Sequence, residues 1–154
     1  MATPREITDL GSLDDLVGED LGVSDWLEIT QDRIDLFARA TGDDQWIHTD
    51  PERAKRESPY GTTIAHGHLT MSLAPMMLQQ IIHVHASMLV NPGVERIRLR
   101  TPVKCGDRVR MHCTLKALRK VPGGGLRATL HTSFEVEGQK RPAAFGDVLL
   151  VYFP

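Results

Sequence analysis

Residues 64–82 form one apolar tract, and nearly everything after it reads as strand, a pairing that leaves few folds open to this chain. The tract runs Ile64-Ala65-His66-Gly67-His68-Leu69-Thr70-Met71-Ser72-Leu73-Ala74-Pro75-Met76-Met77-Leu78-Gln79-Gln80-Ile81-Ile82 and predicts a largely buried helix. Pro75 lacks an amide hydrogen and clashes with the carbonyl four residues back, so a kink is expected near Met71 to Ala74. Beyond His85, the segments 87–90, 94–99, 108–118, 126–136 and 143–153 carry strand-like patterns. Pro122-Gly123-Gly124-Gly125 and Glu137-Gly138-Gln139 supply the hairpin turns. A buried helix ahead of an antiparallel meander, without strands alternating with helices, predicts an α+β fold whose sheet wraps the helix.

The first half is less regular. Residues 1–23 hold scattered acids and glycines and read as a loosely packed, peripheral lead-in with a short helix around 13–17. A strand over 24–29 precedes Thr30, which can cap a helix whose apolar positions Ile34, Phe37, Ala38 and Thr41 follow the i, i+3, i+4, i+7 pattern until Gly42 ends it. Asp50-Pro51 starts another short helix, to about Lys55, and Ser58-Pro59-Tyr60-Gly61 is a loop. The 154 residues suit one domain, and a domain of about 150 residues buries roughly two thirds of its unfolded surface.

A net charge of −2 with no tail of one sign gives no reason to expect nucleic acid, and no apolar run is long enough to expect a membrane span. The start Met1-Ala2-Thr3-Pro4-Arg5 lacks a signal-peptide core, so a cytoplasmic setting is expected. Cys105 and Cys113, embedded in strand-like sequence, read as buried thiols.

Chemistry concentrates in Gly42-Asp43-Asp44-Gln45-Trp46-Ile47-His48-Thr49-Asp50-Pro51. Asp43 and His48 are five residues apart, which on a regular helix separates them by about 140° and on a strand places them on opposite sides. They converge only on irregular backbone, here a bend between two helices. A carboxylate and an imidazole meeting there make an acid–base pair for adding or removing water. They also suit a structural pair, or a metal site with Asp44 and Asp50, although those spacings match no ligand motif. His66-Gly67-His68 stands where the long helix begins, so the Gly67 amide can receive an oxyanion, or Gly67 can simply permit close packing. His66 and His68, like His83 and His85, would diverge by roughly 200° on a helix and share no ion there. Arg96, Arg98 and Arg100 alternate along a strand, with Arg108 and Arg110 on the next; Glu135 and Glu137 can balance that face, or it can bind phosphate. Met71, Met76, Met77 and Met88 serve as core filler or as the wall of an acyl tunnel.

The wording Ala40-Thr41-Gly42-Asp43-Asp44-Gln45-Trp46-Ile47-His48, then Ile64-Ala65-His66-Gly67, resembles the MaoC-like, or (R)-specific enoyl-CoA hydratase, family. That family's motif runs Gly-Asp-x-Asn-Pro-Leu/Ile-His, with a later His-Gly segment opening the central helix of a hotdog fold. Over residues 24–153 the chain is similar to the branch that holds nodulation-protein-N-like proteins and mycobacterial 3-hydroxyacyl-thioester dehydratases. The resemblance implies a single hotdog domain over 1–154 and a lyase of fatty acid metabolism that hydrates trans-2-enoyl thioesters of coenzyme A or acyl carrier protein to (R)-3-hydroxyacyl thioesters. It implies Asp43, His48 and the Gly67 amide as catalytic groups and Gln45, Trp46, His66, Asn91, Arg96 and Arg98 as substrate-binding residues. Neither metal nor cofactor is implied. Pairing of sheet edges into a homodimer is. The sequence departs from the family at Gln45-Trp46, where many members have Asn-Pro, and at Pro92, where relatives carry an aromatic residue. A hotdog acyl-thioesterase and a non-catalytic acyl-thioester-binding module are the rival readings.

Overall fold

The computed structural model describes residues 3–154. In chain order its elements are β1 (Arg5–Ile7), a 3-10 turn (Leu10–Leu16), β2 (Asp20–Val23), β3 (Leu27–Glu28), α1 (Gln31–Thr41), α2 (Trp46–Thr49), α3 (Pro51–Glu57), α4 (Gly67–Ser72), α5 (Ala74–Ile81), β4 (Ile82–Val84), β5 (Met88–Leu99), β6 (Arg108–Lys120), β7 (Leu126–Val136) and β8 (Ala144–Phe153). The main sheet is antiparallel with order β2-β6-β7-β8-β5, β3 also pairing with β6. No helix among the described residues is long and apolar enough to cross a membrane.

The sheet curls around α4 and α5 because its strands are two-faced. Along β7, Ala128, Leu130, Thr132, Phe134 and Val136 are buried while the residues between them are partly exposed, and β6 repeats the alternation at Val109, Met111, Cys113 and Leu115. Ala74 and Leu78 of α5 meet Met111, Leu130, Val148 and Leu150 on that inner face, leaving a void of only about 10 Å³. Met77 and Met111 are fully buried, as core filler should be, whereas Met76 and Met88 are exposed. Cys113 is buried, and burial pushes its thiol up to about 12, while Cys105 is only half-buried.

The apolar tract is shorter as a helix than its composition suggests. Ile64 and Ala65 donate their amides to Ile47 O (3.0 Å) and Val103 O (2.8 Å), so extended pairing claims them and the helix begins at Gly67. The helix then breaks at Leu73, just ahead of Pro75, as expected from the missing amide. Its far end runs directly into β4.

Three further expectations are corrected. The lead-in is not loosely packed: Ile7 and Leu13 are buried in the core, β1 pairs in parallel with β4, and β2 pairs with β6. The strand expected over 24–29 is split, because Asp20–Val23 and Leu27–Glu28 pair with β6 while Ser24 between them bonds Met111 through its amide and its hydroxyl. Nor are the later strands a plain meander. Residues 87–90 and 94–99 form one continuous strand, β5, which lies beside β8 at the sheet edge rather than beside β6. Residues 100–107 must therefore cross the molecule to reach β6, and they pass the start of α4 on the way.

Candidate active site

Two local devices build the bend that carries Asp43 and His48. Thr30 caps α1 by accepting from the Arg33 amide at 3.3 Å, and Gly42 ends it in the left-handed region at φ 77°, where a side chain would be strained. Eight residues on, Asp50 Oδ1 accepts from the Arg53 amide at 2.9 Å, with Pro51 in the first turn of α3. The short α2 is held between them by Gln31, whose Nε2 donates to His48 O (2.7 Å) and Asp35 Oδ1 (2.8 Å) while its Oε1 accepts from Thr63 Oγ1 (2.6 Å).

On that frame an oxygen of Asp43 and a nitrogen from each of His48 and His66 lie within 4.8 Å of one another. His48 Nδ1 is 2.6 Å from Ile64 O, a carbonyl that can only accept, so Nδ1 donates and in the neutral ring Nε2 is the acceptor. His66 Nε2 donates to Asp43 O at 2.8 Å and stands 3.9 Å from Asp43 Oδ2, while its ring stacks on His48 with centroids 3.8 Å apart. His66 Nδ1 is then a buried acceptor with no partner, a feature native structures concentrate at functional sites. The metal set drawn from the sequence does not assemble: the ligand atoms that come together here belong to Asp43, His48 and His66, not to Asp44 or Asp50, and Asp50 Oδ1 caps α3.

Beside His48 opens a cleft of about 210 Å³, lined by Gly67 and Thr70 of α4, by Ala65, by Leu99 at the end of β5, and by Arg100 and Val103 of the crossing segment. Gly67 is the first residue of α4, so its amide has no acceptor within the helix. A Cβ there would sit 2.3 Å from Leu99 Cδ1, so glycine also permits the close approach of Leu99.

The remaining expected residues fall elsewhere. Gln45 Nε2 reaches Asp43 Oδ1 at 3.4 Å, Trp46 lies under the Arg53 guanidinium at 4.3 Å, and neither lines the cleft. His66 is buried behind the cleft instead of lining it. Asn91, Arg96 and Arg98 are also absent from its walls, because β5 is bulged twice, between Val90 and Gly93 and between Glu95 and Arg98. Asn91 Oδ1 closes the first bulge by accepting from Gly93 N at 2.9 Å. Arg96, at φ 54°, turns onto Asp147, and Arg98 folds back on the Ile97 carbonyl. The expected row of three guanidinium groups is thus dispersed, and Arg100 alone of the three reaches the cleft. Balancing acids are where they were expected, Arg110 bonding Glu135 at 2.7 Å and Arg108 bonding Glu137 at 3.1 Å. Those bonds from Arg110, with His112 next, hold the Glu135 carboxyl below its ordinary range. Thr70 was not singled out from the sequence; its only signal was its place one turn beyond Gly67.

A sheet wrapped on a central helix, with a carboxylate and an imidazole at the helix mouth, defines a hotdog protein with a candidate acid–base site. The chain belongs to the MaoC like domain family, which it matches over residues 13–141. It is 42% identical over 153 residues, 99% of each chain, to 3-hydroxyacyl-thioester dehydratase Z of Mycobacterium tuberculosis. It is 43% identical over 129 residues to Nodulation protein N of Rhizobium leguminosarum bv. viciae, covering 82% of this chain and 80% of the other. Among solved structures, an (R)-hydratase from A. caviae involved in PHA biosynthesis superposes with a TM-score of 0.71 at 25% identity, covering 90% of this chain and 96% of that one.

Proposed function

We propose that this protein reversibly hydrates trans-2-enoyl thioesters to (R)-3-hydroxyacyl thioesters, with coenzyme A as the carrier, as a cytoplasmic homodimer. The observation that carries the reading is the convergence of Asp43 with the His48 imidazole, which shares a cleft with Gly67 at the start of α4. The near full-length identity to a 3-hydroxyacyl-thioester dehydratase supports it.

Two hydrogen bonds of about 2.8 Å through one water span about 4.6 Å, and the Asp43 oxygen and the His48 ring nitrogen, within 4.8 Å of each other, are in reach of one shared water. His48 Nε2 takes a proton from that water as its oxygen bonds to C3 of the enoyl group. The π electrons move toward the thioester oxygen, where the Gly67 amide meets the developing negative charge. A proton from the Asp43–His48 pair then reaches C2, and the net change is one water added across one double bond. The reaction needs no other reagent. Elimination runs the same steps backward.

The test is loss of enoyl-thioester absorbance on mixing the protein with crotonyl-CoA and with a longer enoyl-CoA, with chiral analysis of the product. The (R)-alcohol is expected, and Asp43→Asn and His48→Gln are each expected to lower turnover by about 10² or more with the fold intact. Turnover equal to wild type in either variant would sink the assignment. Release of free thiol without alcohol would point to thioester hydrolysis, and binding without turnover to a carrier module.

A further inference from the structure

Among the described residues, two groups of three side chains bring ligand atoms within 4.8 Å of one another. The first is Asp43, His48 and His66. The second lies outside the cleft: Glu6 of β1 with His83 and His85, in and just beyond β4. On a helix the two histidines would diverge, but on extended chain residues i and i+2 project from the same face. Glu6 is the register partner of His83 across the parallel pair. Its Oε2 lies 3.1 Å from His83 Nδ1 and 2.7 Å from His85 Nε2. Two residues along a strand are about 6.6 Å apart. The ring centroids are only 4.8 Å apart, so both rings lean over the same carboxylate.

We propose that Glu6, His83 and His85 form a binding site for a divalent transition ion of the zinc type, which clamps β1 to β4. Three donors each about 2.0–2.1 Å from a tetrahedral ion stand roughly 3.3 Å apart, so the separations of Glu6 Oε2 from the two ring nitrogens need to open by only tenths of an ångström. Two imidazoles and one carboxylate select borderline-soft cations over magnesium and calcium, which take oxygen ligands. All three side chains are about half exposed, and an open surface hollow beside the histidines leaves room for water in the fourth position. A bound ion would tie residue 6 to residues 83 and 85, anchoring a three-residue strand otherwise held by one short parallel ladder.

The experiment is calorimetric titration of zinc into the full-length, metal-free protein without an affinity tag, repeated with magnesium. Wild type is expected to bind one tight equivalent of zinc and no magnesium at that site. His83→Gln and His85→Gln are each expected to weaken zinc binding about a hundredfold, while His48→Gln leaves it unchanged. Amide exchange at Glu6 and Ile7 should slow when zinc is added to wild type and not when it is added to His85→Gln. Absent zinc binding, binding indifferent to His83→Gln and His85→Gln, or binding lost in His48→Gln would each overturn the proposal.

Discussion

Arg100 is the residue whose position matters most beyond the acid–base pair. Its guanidinium lines the cleft and lies 5.7 Å from the Phe145 ring, which makes it the arginine available to the phosphate-bearing carrier of the proposed reaction. Arg100→Ala should therefore raise KM for a coenzyme A thioester about tenfold with little change in kcat, and leave a pantetheine thioester without phosphates unaffected. A kcat loss of the same size for both substrates would place Arg100 in the chemistry instead. The bend that brings Asp43 to His48 and the place of Gly67 in the first turn of a helix were legible in the sequence, because each sits beside a local signal, an αL glycine, an Asp-Pro cap or a helix start. Arg100 could not be told from Arg96 and Arg98, because one extra residue in a bulge decides which guanidinium reaches the cleft.

At the scale of elements, side chains that touch no substrate hold the site. Gln31 binds α1, α2 and Thr63 together through three hydrogen bonds, each worth about 1 kcal/mol net. Gln31→Leu should lower stability by about 2–3 kcal/mol in urea unfolding. It should also cut kcat at least about tenfold while leaving KM near wild type, because it frees His48 and leaves the other residues lining the cleft in place. On the outer face Asp147 is buried and accepts from Arg96, Lys116 and His131, pinning the bulge of β5 to β6, β7 and β8. Burial pushes its carboxyl upward, but the hydrogen bonds from Arg96, His131 and Lys116 outweigh that and hold it at about 2 against an ordinary 3.8. A carboxyl lowered on folding stabilises the fold above its unfolded value and loses that contribution as pH falls toward its folded value. Asp147→Asn should thus be less stable by roughly 2 kcal/mol at neutral pH, and the gap in urea midpoint should close between about pH 4 and pH 2. The capped helices and the break before Pro75 were readable because their causes are local. The β1–β4 pair was not, since two three-residue strands far apart in sequence leave no periodic signature.

The whole molecule presents an edge it does not cover. β5 is exposed along its length and carries Met88, Leu89, Val90, Val94 and Leu99, all at least 40% exposed. An apolar sheet edge left open invites pairing with another strand, which supports the homodimer read from resemblance. Sedimentation equilibrium should give twice the 17.2 kDa chain mass, and Leu89→Lys with Val94→Lys should give the single chain. A wild type that sediments as one chain would remove the homodimer. The antiparallel sheet around a buried helix was readable from pattern alone. Its strand order was not, because nothing local says that residues 100–107 cross over.

β5 ends at Leu99, in van der Waals contact with the start of α4, and the chain continues at once into Arg100 at the cleft. The open sheet edge and the wall of the cleft are therefore two ends of one ribbon. A neighbour that paired along β5 would press on the cleft wall through Leu99 while touching neither Asp43 nor His48.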